Sequence, residues 1–173
     1  MGKFNFFKKK NSNIESKINS EISSSQKKNE MKILTIEETA EIPSEKELTT
    51  FFKNNNINIP DDYFHFLLTQ NPYTIEEVIY NLNGKVYVFQ EFSPFDSANE
   101  YSLQNSIKEC SEMLENKYIS FANDPAGNLY VLRIINDSNF GKVYFFRLDS
   151  ESTENIPLLA NSFSEFINGL EEE

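Results

Sequence analysis

Ile75-Glu76-Glu77-Val78-Ile79-Tyr80-Asn81-Leu82-Asn83-Gly84-Lys85-Val86-Tyr87-Val88-Phe89-Gln90-Glu91-Phe92 is the stretch whose reading decides the fold. On both sides of Asn83-Gly84 the side chains alternate with a period of two. Asn-Gly is the dipeptide best suited to the positive φ angles of a two-residue hairpin turn. Ile75–Leu82 and Lys85–Phe92 are therefore expected to pair as antiparallel strands. An isolated hairpin is at best marginally stable in water, so other elements must cover it.

Toward the N-terminus the period changes. Ser44-Glu45-Lys46-Glu47 has the spacing of a capping box, and Leu48, Phe51 and Phe52 follow at i, i+3, i+4, which predicts a helix to about Asn54. Ile59-Pro60-Asp61-Asp62 opens a second helix, with Pro60 at or just before its first turn and two carboxylates facing the helix dipole. Tyr63, Phe66 and Leu67 form its buried stripe, and Asn71-Pro72 stops it.

Toward the C-terminus, Leu103, Ile107, Cys110 and Leu114 mark one face of a third helix. Tyr118–Ala122, Asn128–Ile135 and Lys142–Leu148 read as strands. Val143 and Phe145 alternate with Tyr144 and Phe146, so both faces of the last strand are apolar and partly covered. Ser162-Phe163-Ser164-Glu165 is a second capping box, opening a closing helix with Phe163, Phe166, Ile167 and Leu170. The expected fold class is α+β: a single domain, with an antiparallel sheet, N-terminal helices, one inserted helix and a C-terminal helix packed on it.

The chain has 173 residues, a length that suits one domain. Its first thirty residues differ from the rest. Met1–Glu30 holds seven Lys and three Glu, net +4, whereas residues 31–173 hold 9 basic and 24 acidic residues, net −15. Residues 1–30 are read as a basic, flexible arm and 31–173 as the folded domain. The tip MGKFNFFKKK has no signal-peptide order, since its charges follow the aromatic residues and no apolar core is present. Phe6 stands where N-myristoylation wants Ser or Thr. Two readings stand for the tip, a solubilising tail or a weak hook for an anionic membrane surface or an acidic patch.

Several chemistries are disfavoured. The acidic balance opposes direct nucleic-acid binding, which needs a basic footprint. One Cys and one His cannot build a zinc site or an intramolecular disulfide, and a reducing cytoplasm fits that usage. The glycines Gly2, Gly84, Gly127, Gly141 and Gly169 are too dispersed for a phosphate or dinucleotide loop, and the last four are expected at turns or helix ends that tolerate positive φ. His65 is expected on a helix surface, within reach of Asp61, and Cys110 as a buried, inert thiol. Glu76, Glu77, Glu91 and Asp124 are the carboxylates that could form a glycosidase-type pair, about 5–10 Å apart. The chain has no Trp to stack on a sugar, however, and 24 acidic residues make accidental neighbours common. No cofactor or metal is expected.

Four stretches, in order, resemble the SUKH superfamily of bacterial immunity proteins and fungal cell-wall-assembly regulators. Ile59-Pro60-Asp61-Asp62-Tyr63-Phe64-His65-Phe66-Leu67 resembles its "LPxxYxxFL" opening. Phe121-Ala122-Asn123-Asp124-Pro125-Ala126-Gly127-Asn128-Leu129-Tyr130 is similar to its central strand, "GN" turn and strand. Gly141-Lys142-Val143-Tyr144-Phe145-Phe146 is similar to its "G-x-V-Y-F" strand, and Ala160–Ile167 to its closing "SFxxFL" helix. One departure is Gln70-Asn71-Pro72-Tyr73, where the family often has Asn-Gly-Gly.

The resemblance implies a non-catalytic binding protein that neutralises a cognate toxin domain, often a nuclease; the alternative is a regulatory scaffold of the cell-wall-regulator type. A basic toxin suits the charge of the domain. Glu76, Glu77, Glu91 and Asp124 are then the candidate partner-binding residues, because hairpin and turn positions present charge without disturbing a core. A monomer is expected when the protein is free, in the cytoplasm and without a transmembrane segment.

Overall fold

Three of the four helices among the described residues begin on a serine that accepts from a free first-turn N–H group. The computed structural model describes residues 31–150 and 152–172, apart from the side chains of Glu77 and Glu172. The expectations placed on Met1–Glu30 lie outside the described residues. Helix α1 (Glu45–Asn54) opens on Ser44, whose hydroxyl accepts from the Glu47 N–H at 3.3 Å while the Glu47 carboxylate accepts from the Ser44 N–H at 2.8 Å. Helix α2 (Asp61–Thr69) starts after Pro60 at φ −66° and has no side-chain cap of its own. Asp62 instead reaches across the molecule, where its Oδ2 accepts from the N–H of Ser164 at 2.8 Å and from its hydroxyl at 3.0 Å. Helix α3 (Leu103–Cys110) is capped by Ser102, and α4 (Phe163–Asn168) by Ser162.

The strands are β1 (Ile36–Thr39), β2 (Pro72–Leu82), β3 (Lys85–Phe92), β4 (Tyr118–Asn123), β5 (Leu129–Arg133), β6 (Val143–Phe146), β7 (Leu158–Ala160) and β8 (Leu170–Glu172). They form one antiparallel sheet in the order β1-β2-β3-β4-β5-β6-β7, with β8 on the β1 side of β2. β1 occupies the Pro72–Ile75 end of β2, and β8 the stretch Val78–Tyr80. The sheet curls strongly: the Tyr80 hydroxyl on β2 donates to the Leu159 carbonyl on β7 at 2.8 Å. Helix α4 fills the gap between β7 and β8.

The inner face of that curl holds the principal core. Tyr63 and Phe66 of α2, Phe163 and Phe166 of α4, and Phe121 and Tyr130 of the sheet are each no more than 1% exposed. Their rings meet edge-on or tilted, for example Tyr63 on Phe163 at 4.8 Å and Phe121 on Phe163 at 5.2 Å between centroids. Such pairs add about 0.5–1.5 kcal/mol beyond the area they bury. The abundance of Phe is thereby explained. A second, smaller core lies on the outer face, where Tyr118, Leu129, Val131 and Phe146 are covered by Leu114, with Cys110, Met113 and Ile156 beside them.

Most expected elements are present, with differences that have physical reasons. β2 begins at Pro72 rather than Ile75, because a register shift between Thr74 and Val78 breaks the alternation on which the expectation rested. β1, β7 and β8 were not anticipated; at three or four residues each they carry no readable period. β5 and β6 are shorter than expected, and Leu114 lies in the turn after α3 rather than on it. The second capping box is half formed, since the Glu165 carboxylate accepts from Asn161 N–H at 2.8 Å instead of from Ser162. Gly84, Gly127 and Gly141 have positive φ as expected, but Gly169 sits at −90°. Gly169 is needed for space: a Cβ there would stand 2.7 Å from the Tyr80 ring. Cys110 is only half-buried, and His65 is exposed.

Candidate partner-binding face

Side chains alternate across a strand, so the register of the β2–β3 hairpin sorts them into two sets. Tyr80, Tyr87 and Phe89 point into the core. Ile79 lies opposite Val88, and Asn81 opposite Val86, on the outer face. Val86 is 51% exposed and Val88 36%, so an apolar strip reaches solvent here.

At the base of the hairpin the outer face turns polar. Glu91 pairs with Thr74 on one side and Asn123 on the other, and its Oε1 accepts from Asn123 Nδ2 at 3.2 Å. The Tyr73 phenol lies close enough to feel the same carboxylate. Burial, and then the negative charge of Glu91, push the Tyr73 phenol above its ordinary pKa, with Tyr101 and Glu38 close enough to contribute. Tyr101 is 55% exposed.

The four carboxylates singled out in the sequence have different circumstances. Glu76 is exposed on β2, and its N–H donates to the Thr35 carbonyl at 3.2 Å, next to β1. The Glu77 side chain lies outside those described. Glu91 is half-buried and accepts from Asn123. Asp124 organises its own turn: Oδ1 accepts from the N–H groups of Ala126 (2.9 Å) and Asn128 (2.8 Å), and Oδ2 from Asn128 Nδ2 at 2.8 Å. The pairing of β3 with β4 thus brings Glu91 beside the residue preceding Asp124, while Glu76 lies on the β1 side of β2. Sequence reasoning missed Val86, Val88, Tyr73, Tyr101 and Glu38. The alternation in Val86-Tyr87-Val88-Phe89 was a usable signal, because it places two valines opposite two core aromatics.

A groove of about 910 Å³ lies elsewhere, between Glu41–Phe51 and the Phe95–Gln104 segment, and none of the four carboxylates lines it. Among the described residues no group of three or more His, Cys, Asp or Glu could hold a metal ion. Burial pushes the Cys110 thiol up, away from the thiolate that nucleophilic chemistry needs.

Residues 42–169 match the SMI1 / KNR4 family (SUKH-1), a span that runs from the approach to α1 to the end of α4. The chain belongs to this family. Its membership is of the immunity-protein or cell-wall-regulator type. No curated protein matches the chain. No helix among the described residues of the SUKH domain is long and apolar enough to cross a membrane.

The SUKH domain fastens the base of the hairpin at the loop where its sequence departs from Asn-Gly-Gly. Asn71 takes the left-handed conformation at φ 38°, which Asn tolerates better than most non-glycine residues. Its side chain is fully buried. Nδ2 donates to the carbonyls of Glu41 (2.8 Å) and Phe95 (3.2 Å), and Oδ1 accepts from the Phe95 N–H at 2.8 Å. Gln70, next to it, accepts from the Leu34 N–H at 2.9 Å and donates to the Lys32 carbonyl. The amide pair thus ties together the segments that enter β1, leave β3 and precede α1.

Proposed function

We propose that this SUKH domain is a non-catalytic immunity protein that neutralises a cognate toxin by binding a basic surface of it directly. The observation that carries the reading is uncompensated charge. Residues 31–173 hold 24 acidic and 9 basic side chains, yet among the described residues only three ion pairs form, Lys117–Glu115, Arg133–Asp137 and Arg147–Asp149. A net −15 exceeds the magnitude of about 2–8 that suffices to keep a small domain in solution. Domains so charged steer oppositely charged partners and associate faster than the neutral range of about 10⁵–10⁶ M⁻¹s⁻¹. A nuclease with a basic cleft is the chemistry best matched to that field. The protein acts as a cytoplasmic monomer, and its work is occlusion rather than turnover.

The test is co-expression with the toxin encoded beside it in the native genome. Growth should be restored, with a one-to-one complex on purification. Charge reversal at exposed Glu38 and Glu76 (Glu38→Lys, Glu76→Lys) should slow association and flatten its salt dependence while the thermal midpoint stays within a few degrees. Turnover of a glycoside or nucleotide by the purified chain would overturn the reading.

A further inference from the structure

β3 has a strand on one side only for most of its length. It meets β4 at Glu91↔Asn123 and Phe92↔Ala122, and among the described residues no strand pairs with Lys85–Gln90 on that side. The two-residue turn makes Leu82↔Lys85 a hydrogen-bonded pair, so Lys85, Tyr87 and Phe89 direct their N–H and C=O groups to β2. Val86, Val88 and Gln90 direct theirs away from it. One of these groups shows the direction: the Val88 carbonyl accepts at 2.7 Å from the hydroxyl of Tyr130, a core side chain that reaches this edge. Edges are ordinarily blunted by charge, proline or a bulge. Val86-Tyr87-Val88-Phe89 has no charge and no proline, and its register with Val78–Asn81 is continuous.

We infer that the edge of β3 at Val86–Gln90, unpaired with any strand though its Val88 carbonyl is already taken by Tyr130, is a strand-addition site that takes one extended segment of the partner protein. The segment is uncharged at its centre, with small or β-branched residues to lie against Val86 and Val88, and it carries Lys or Arg at the end beside Glu91. Main-chain hydrogen bonds give such a site its hold, and the flanking side chains its selectivity. The inference rests on the reading of the chain as a binder of a basic protein, and it names how that binding is made.

The experiment uses the full chain, ¹⁵N-labelled, and the probe Ac-Arg-Val-Thr-Val-Thr-Arg-NH2, basic at both ends so that either strand direction is served. In the free protein the amides of Val86, Val88 and Gln90 should exchange about tenfold or more faster than those of Tyr87 and Phe89. Saturating peptide should slow the three by about tenfold, with chemical shifts confined to β3 and its neighbours. The same peptide N-methylated at its two valines, or with Glu for Arg, should do neither. The variant Val88→Pro, which removes an outward N–H that β2 does not use, should abolish the protection. Equal protection of all five amides in the free monomer overturns the proposal. So does equal binding by the N-methylated peptide, shifts that map to the α1 groove, or undiminished protection in a folded Val88→Pro. Equal binding by the Glu peptide overturns the basic-end assignment. A concentration-dependent dimer in sedimentation that protects the same amides assigns the edge to a second copy and overturns the partner assignment. None of these arms contains a toxin, so their failure leaves the neutralisation reading to its own test.

Discussion

Over β4, β5 and β6 the outer face of the sheet carries Tyr118, Leu129, Val131 and Phe146, and Leu114, Met113 and Ile156 lie on top of them. Over β2 and β3 the same face carries Ile79, Val86 and Val88, with Val86 left 51% exposed. The chain supplies a cover to one half because long connections leave β3 and β6: Leu114 comes from the first and Ile156 from the second. The hairpin has a two-residue loop and no such material. An apolar outer face is therefore finished internally in one place and presented in another. Only the presented half is available to a partner.

The largest expected effect breaks the covered half. Phe146 is 1% exposed and central to the outer core, so Phe146→Ala should cost about 3–5 kcal/mol in urea titration. A loss under about 1 kcal/mol would mean that the outer cluster contributes packing without stability.

Next comes the fastening at the base of the bare half. Asn71→Ala removes three hydrogen bonds, takes the partner from part-buried main-chain groups of Glu41 and Phe95, and puts Ala at φ 38°. A loss of about 2–4 kcal/mol is expected, since each stranded group costs about 1–3 kcal/mol and part of the loop relaxes toward water. Amide exchange should locate the damage: Phe95 should lose protection while Val131 and Tyr144 keep theirs.

A smaller effect sharpens what holds the cover in place. Lys117 and, after it, the Thr153 N–H (3.0 Å) hold the Glu115 carboxyl down to a pKa of about 2, against an ordinary 4.5. The folded value is the lower one, so this tie is fully present above about pH 4.5 and is lost as pH falls from there through about 2. Thr153 amide protection should decline across that window, and Glu115→Gln should lack the decline. Constant protection down to pH 2 would mean that the carboxylate does not tie the Thr153 segment to the turn after α3.

How much of this was legible depends on whether the signal was local. The Ser44–Glu47 box, the Asn83-Gly84 turn and the Tyr63–Phe66–Leu67 stripe are spelled within a few residues, and the structure repeats them. β1, β7 and β8 exist because β2 and β6 offer them a ladder, and a three-residue strand has no period to read. Asp62 was readable as a helix-opening carboxylate, but its main partner, Ser164, is 102 positions away. The carboxylates of the candidate face were chosen for lying in a hairpin and a turn. That reasoning located Glu91 correctly on β3, but it gave no sign that Asp124 would be used up by Ala126 and Asn128. It looked for charge, and so passed over Val86 and Val88, whose exposure follows from the shortness of a loop.

The smallest expected effect is the one that most sharply separates the two halves. Val88→Thr swaps a methyl for a hydroxyl at nearly constant volume. Inside a core that exchange strands a polar group, whereas at an exposed β position Thr is well tolerated. Val88 is 36% exposed and opposite Ile79, so the thermal midpoint and urea stability should change by no more than about 0.5 kcal/mol. Val131→Thr makes the same exchange at a fully buried position on the same face, over β5, and should cost about 1–3 kcal/mol. Urea titration of the two variants side by side is the measurement. If Val88→Thr proves as costly as Val131→Thr, the outer face of the hairpin is covered after all, and the distinction between a finished half and a presented half collapses.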